Sequence, residues 1–297
     1  AELTRRLSIP GGELAYTLRD FADGDHLRSR LRASRSAAIV GGGFIGLEVA
    51  SSARKLGCEV TLVEALPRIL MRGVPEEIAT VVHHRHVEAG VTMQVGTGLA
   101  ALETDGILLT DGRKVKADII IAGIGAAPAT ALAEAAGLEV QNGIVCDAGM
   151  RSSDPDIFAA GDVCSFPHEL FGGKRIRLEA WRNATDQANV ATENMLGGSK
   201  TYTAVPWFWS DQYDLSLQIA GMPGDGATTV RRQTAENAFV IFHLDGDGRL
   251  VGASGIGVGN AIARDVKLAE MLIARRARPA AEQLADPSIA LKAMLKG

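Results

Sequence analysis

Aromatic residues are scarce, 5% of a 297-residue chain, and cysteine is scarcer still, with three. Cys58, Cys146 and Cys164 are odd in number, far apart, and form no Cys-x-x-Cys pair. That leaves out a local dithiol redox centre and a thiolate iron–sulfur or zinc site, and reads as three reduced thiols of a cytoplasmic protein. No apolar run reaches membrane-spanning length before Gly, Asp or Arg interrupts it, so no membrane association is expected. Basic blocks are missing apart from Arg275, Arg276 and Arg278, and the net charge is -4, so nucleic-acid binding has no support. The opening Ala1 to Arg6 runs into a Pro10-Gly11-Gly12 turn rather than the apolar stretch of a leader peptide. His83, His84 and His86 resemble a metal cluster, but adjacent positions of a helix point in different directions, so they read as surface or core-edge residues. With 46% apolar and 22% charged residues, the chain can bury a sizeable core in two or three domains.

What is present is concentrated in residues 36–64. The apolar run Ala37 to Val40 reads as a buried strand and leads into Gly41, Gly43 and Gly46, a Gly-x-Gly-x-x-Gly turn opening a helix. Gly41 permits the tight turn, Gly43 leaves room for a pyrophosphate, and Gly46 lets helix and strand pack closely. The first amides of the helix have no internal partner and can receive phosphate charge. A second strand, Glu59 to Val63, ends in Glu64, placed to accept hydrogen bonds from an adenosine ribose. A carboxylate there repels a 2′-phosphate and so favours NADH over NADPH, although Arg68 is close enough in sequence to soften the preference. The alternative is a glycine-rich turn that serves structure alone.

Around this unit the pattern predicts a helix over 23–33, another over 76–89, and a strand over 91–95. Asp105-Gly106 and Asp111-Gly112 divide residues 99–117 into an antiparallel meander. The run Ile119 to Ala122 returns as a buried strand stopping at Gly123-Ile124-Gly125, beside a bound cofactor. A helix over 129–136 follows. Ile157 to Ala160 reads as a buried strand ending in Gly161-Asp162 before a helix. There Asp162 either accepts from a ligand hydroxyl or is a helix-capping or turn aspartate. Residues 182–196 form a helix closed by Gly197. Tyr202, Trp207, Phe208, Trp209 and Tyr213 then crowd twelve residues, suited either to lining a flat ring or to a hydrophobic hinge. Beyond 215 four antiparallel strands and a helix over 261–274 make a small α+β domain, with 279–297 as a loosely attached tail.

These stretches carry a resemblance: Val40 to Ala50, Ala122 to Gly125, Ser153 to Asp162, and Pro206-Trp-Phe-Trp-Ser-Asp-Gln-Tyr213. The chain resembles, over essentially its whole length, the FAD-dependent NADH:ferredoxin reductases of oxygenase and cytochrome P450 systems, the putidaredoxin reductase-like class. That class is α/β, with a glutathione-reductase-like pair of dinucleotide-binding domains and a C-terminal α+β domain. The resemblance implies that Gly41, Gly43, Phe44, Ile45 and Gly46 wrap the NADH pyrophosphate and that Glu64 holds its ribose. It places Glu48 near the nicotinamide, Gly125 on its approach to the flavin, and Gly161 and Asp162 on FAD. Glu179, Ala180 and Trp181 would line the isoalloxazine, and Trp209 would face the electron acceptor.

The chemistry implied is hydride transfer from NADH to FAD and single-electron release to a [2Fe-2S] ferredoxin, with no catalytic acid or nucleophile. An NADH oxidase, a rubredoxin-type reductase, or a flavin-free NADH-binding fragment are the alternatives. Relatives of the class begin with a separate glycine-rich FAD fingerprint well upstream, and this chain shows only the second fingerprint. The expectation is therefore that the N-terminal FAD half is absent here and supplied in the same or a separate chain. Alone, these residues would bind NADH and hold FAD weakly or not at all. On this reading 1–33 is a remnant of the FAD domain with a linker, 34–148 binds NADH, 149–203 continues the FAD domain, and 204–297 is the C-terminal domain, in a monomer. Pro128-Ala129 departs from the proline–asparagine pair common in the class.

Overall fold

The computed structural model describes residues 2–296, which fall into two compact units. One comprises Leu3–Ala127 with Ser210–Leu215; the other comprises 128–209 with 216–296 and Glu2. Among the described residues no helix is long and apolar enough to cross a membrane.

The first unit is built on a four-stranded parallel sheet in the order Val91–Val95, Glu59–Glu64, Ser36–Val40, Ile119–Ala122. Strand Ser36–Val40 is buried from Ala37 to Val40, and its neighbour buries Val60, Leu62 and Val63, as parallel strands covered on two faces do. Helix Phe21–Ala33 starts where the Asp20 carboxylate accepts from the Asp23 amide at 2.9 Å, and it buries Leu27 and Leu31. Burial of each leucine contributes about 1.5–3 kcal/mol. The meander of Leu99–Glu103, Gly106–Leu109 and Lys114–Lys116 is antiparallel, as its turn pairs predict. Its Leu102, Ile107 and Leu109 pack on Ala38, Val40 and Ile120 of the parallel sheet.

The second unit holds a five-stranded sheet in the order Trp207–Gln212, Leu215–Gly221, Leu250–Val258, Ala238–Leu244, Thr228–Ala235, with residues 210–215 counted in the other unit. Helix Ala263–Ala274 lays Val266, Ala269, Leu272 and Ile273 against Val240, Phe242 and Ala253. Residues 279–296 are not the loose tail expected. Leu284 and Leu291 are buried, and the Arg232 guanidinium donates to the carbonyls of Leu284, Asp286, Pro287 and Ile289. The strand expected over 157–160 is also absent; Phe158 makes only an isolated bridge to Arg151. A strand, Cys164–His168, follows Asp162 where a helix was expected, so Asp162 caps no helix. Helix Ala131–Ala135 begins two residues later than expected, after strand Ala126–Pro128 and with Thr130 at its N-cap position.

His243 lies buried in the sheet with its Nε2 3.1 Å from Ser254 Oγ, and burial lowers its pKa from 6.5 to about 4. The unfolded chain therefore binds more protons between these values, and stability falls as pH drops from about 6.5 to about 4. The urea midpoint is expected to decline over that window, and less steeply in His243→Leu. Parallel declines in both proteins would remove His243 as the cause.

Candidate functional site

The glycine turn separates into positions the fold needs and one it does not. Gly41 has φ +102°, and a Cβ there would lie 2.6 Å from the Gly123 carbonyl oxygen. A Cβ on Gly46 would lie 2.0 Å from the Gly41 carbonyl oxygen. Gly43 is different. Its backbone is extended, and a Cβ would find only the Gly123 oxygen, at 4.0 Å. Nothing among the described residues excludes a side chain at 43, so the space over it suits a close-lying ligand backbone. Helix Phe44–Lys55 opens at that point without a capping side chain, and its first amides form the positive end of the helix. Ile45 is exposed beside them, Phe44 half-buried.

Glu64 ends the neighbouring strand, 2.7 Å from the Gly42 amide through Oε2 and 2.7 Å from the Leu66 amide through Oε1. The two backbone donors fix the carboxylate beside the turn, and each oxygen retains a second lone pair for a hydroxyl. Arg68, expected to temper its charge, is instead tied to the carbonyls of Ile69 and Val74 at 3.0 and 3.1 Å. Gly125, at φ +93°, is exposed at the sheet end, its carbonyl accepting from the Arg5 amide at 3.0 Å.

Glu48, in the second turn of the helix, accepts from the Ser210 hydroxyl at 2.5 Å. Burial pushes its pKa up; the Ser210 hydrogen bond opposes that, and the Asp211 charge adds to it. Sequence reasoning missed what stands behind it. Ser210, Gln212 and His86 are buried and joined by hydrogen bonds, with His86 Nε2 2.8 Å from Gln212 Oε1. The alternation of polar residues at 210 and 212 in a strand was the available signal; nothing local marks His86.

The other unit gathers the expected flavin-side residues. Buried Gly161 donates its amide to Gln187 Oε1 at 2.7 Å. Gln187 is fully buried, and its Nε2 has no hydrogen-bond partner among the described residues. Arg177 donates to the Asp162 carbonyl at 2.9 Å and to Glu179 at 2.6 Å. A cleft of about 120 Å³ is lined by Leu178, Glu179, Ala180, Asn183, Trp207 and Phe208 among others. Ala180 precedes helix Trp181–Met195, which again opens without a side-chain cap. Trp181 and Trp209 are exposed, 74% and 39%.

The aromatic cluster is split by the fold. Trp207 and Trp209 stack at 5.1 Å between ring centroids, with the Arg182 guanidinium over Trp207. Tyr202 turns inward to Phe166 and His168 and donates to Asn183. Tyr213 pairs with His86 in the other unit. The cysteines are all buried, and Cys146 and Cys164 share one core cluster with Met150. Among the described residues no group of three His, Cys, Asp or Glu could hold a metal ion.

Residues 3–188 match the pyridine nucleotide-disulphide oxidoreductase family, and residues 207–295 match the reductase C-terminal domain. The chain is 44% identical over 292 residues to the anthranilate 1,2-dioxygenase system ferredoxin–NAD(+) reductase component of Burkholderia cepacia, covering 97% of this chain and 71% of the relative. The ferredoxin reductase for the CYP199A2 system of Rhodopseudomonas palustris superposes with a TM-score of 0.92 at 35% identity, over 98% of this chain and 73% of that one. A covalent putidaredoxin reductase–putidaredoxin complex matches with a TM-score of 0.92 at 32% identity, over 99% and 72%. This chain belongs to the pyridine nucleotide-disulphide oxidoreductase family, among the ferredoxin–NAD(+) reductases of oxygenase systems.

Proposed function

We propose that the protein oxidises NADH through FAD and passes the electrons singly to a [2Fe-2S] ferredoxin that serves an oxygenase or a cytochrome P450. The observation that carries the nucleotide part is the opening over Gly43, at an uncapped helix start and beside a carboxylate held by two amides. The glycine backbone from 41 to 46 binds the pyrophosphate, and Glu64 accepts from the adenosine ribose. Glu48 and Gly125 flank the nicotinamide.

The flavin-side residues suit FAD: a buried Gln187 amide lacks an acceptor next to Gly161 and Asp162, and an aromatic-walled cleft lies beside an uncapped helix start. Gly161 and Asp162 would hold its ribityl or phosphate portion, and Glu179, Ala180 and Trp181 its ring. FAD, when bound, accepts a hydride and returns electrons one at a time. The protein's part is to orient, to exclude water and to present Trp209 toward the acceptor; no side chain need act as nucleophile. In domain terms, 34–148 binds NADH, 149–203 joins 1–33 in the FAD-binding portion, and 204–297 is the C-terminal domain. The rest of the FAD site is assigned to the length of the relatives that this chain does not span, on the same or a separate chain.

With that portion supplied, NADH is expected to reduce a [2Fe-2S] ferredoxin faster than oxygen, and NADPH to be a poor donor. Faster reduction of oxygen would instead indicate an NADH oxidase, and absence of flavin uptake would remove the electron-transfer reading. Glu64→Gln is expected to lower kcat/KM for NADH roughly tenfold, the worth of a charge-assisted hydrogen bond, while narrowing the NADH to NADPH ratio. An unchanged ratio would take Glu64 out of the ribose site.

A further inference from the structure

Behind Glu48 the first unit holds a line of hydrogen bonds in which donors can all point one way. The Tyr213 hydroxyl lies 3.4 Å from His86 Nδ1, and His86 Nε2 lies 2.8 Å from Gln212 Oε1. Gln212 Nε2 donates to Ser210 Oγ at 3.1 Å, and Ser210 Oγ donates to Glu48 Oε1 at 2.5 Å. The amide of Gln212 settles the direction. Its nitrogen can only donate, toward Ser210, so its oxygen must receive from His86. His86 is thereby the Nε2–H tautomer, and its Nδ1 is left to accept from Tyr213.

His86, Gln212 and Ser210 are 0%, 3% and 2% exposed, so water does not compete inside the line. Successive donors polarise one another in such surroundings. The far end is anchored. Tyr213 takes φ +57°, its amide donates to Ser51 Oγ at 3.2 Å, and Arg85 lies over its ring while pairing with Asp214.

We propose that Ser210, Gln212 and His86 are positioning residues that hold the Glu48 carboxylate in one orientation and ionised, so that it faces the nicotinamide as a fixed negative charge. The proposal rests on the reading that Glu48 flanks the nicotinamide. When the C4–H bond of NADH breaks and hydrogen leaves with the electron pair for FAD, the ring left behind carries a positive charge. A carboxylate already oriented beside it stabilises that charge without reorganisation. A buried carboxylate otherwise tends to take up a proton, and Glu48 is pushed that way by burial and by Asp211. The Ser210 donor opposes both.

The other charged or titratable groups around the line stand at its far end. Burial disfavours protonation of His86; its hydrogen bond to Gln212 opposes that, and the charges of Arg85 and His83 add to it. Arg85 and Lys55 flank the Tyr213 ring, and Arg54 acts on its hydroxyl. Neutral His86 is the form the line requires.

The test is a carboxyl carbon NMR titration of Glu48 in the full chain without nucleotide, its signal assigned by its loss in Glu48→Gln. Ser210→Ala is expected to lower the Glu48 acid dissociation constant about tenfold, the loss of one hydrogen bond to a charged group. Asp211→Asn should move it the opposite way, and Ser210→Thr, which keeps the hydroxyl, should restore the native value. Gln212→Met should shift it in the same direction as Ser210→Ala and release the Nε2–H tautomer of His86, read from imidazole nitrogen shifts. An unmoved Glu48 in Ser210→Ala, the same direction of shift in Ser210→Ala and Asp211→Asn, or an Nδ1–H His86 in the native chain overturns the proposal. Calorimetric titration with NAD+ and NADH then tests the underlying placement. Ser210→Ala should weaken NAD+ relative to NADH at neutral pH. If Glu48 titrates as expected and that ratio stays constant, the hydrogen-bond line stands and the nicotinamide placement fails.

Discussion

Gly43→Ala is expected to leave the fold intact and abolish most nucleotide affinity, while Gly46→Ala does the reverse damage. The backbone of Gly43, at φ -81° and ψ -178°, is open to any residue, and a methyl there meets only one oxygen at 4.0 Å. Its thermal midpoint should stay within about 2 °C of the native one, as for a substitution that strains nothing. The same methyl stands where the pyrophosphate backbone has to approach, so the dissociation constant for NADH should rise at least about tenfold, a loss of about 1.4 kcal/mol.

In Gly46 the added carbon would lie 2.0 Å from the Gly41 carbonyl oxygen, and a Cβ on facing Gly123 would lie 3.0 Å from Gly46 backbone atoms. Helix and strand must part, and the expected cost is about 3 kcal/mol or more, in the upper range of overpacking. Thermal denaturation with NADH titration reads both effects. A Gly43→Ala protein that binds NADH normally would show that position 43 does not face the pyrophosphate.

Arg232→Met should cost the second unit about 3–5 kcal/mol, the usual consequence of removing one member of a buried ionic cluster. The guanidinium, 6% exposed, pairs with Asp265 at 3.0 Å and donates to four carbonyls between Leu284 and Ile289. Without it those acceptors lose their donor, and the segment bearing Leu284 and Leu291 loses its tether to strand Thr228–Ala235. Arg232→Lys restores only part of the loss, because an ammonium cannot span the carbonyls as a planar fork does. Urea unfolding gives the free energy, and limited proteolysis should cut first beyond Ala277. A change below about 1 kcal/mol would mean the segment is held by its leucines alone.

The error over residues 279–296 and the success over 36–64 have a common origin. The glycine turn could be read because its requirements are local: strand, turn and helix start are neighbours in sequence, and spacing encodes their geometry. The attachment of the last residues depends on one arginine over fifty positions earlier, whose partners are backbone carbonyls that any sequence supplies. No pattern of side chains announces that contact. The misplaced strand at 157–160 has a related cause. Ile157 to Ala160 is apolar enough for a strand, but strand formation needs a neighbour to pair with, and only Phe158 finds one.

Residue types and their spacing by themselves determined the parallel nucleotide unit, the inserted meander, the acid ending the second strand and the antiparallel character of the C-terminal portion. Each follows from a period of two or 3.6, or from a turn that only glycine can make. Tertiary structure alone decided that five clustered aromatics serve three separate places and that His86 stands behind Glu48. Those depend on side chains far apart in the chain meeting in space, and hydrogen bonding between such partners has no sequence period to betray it.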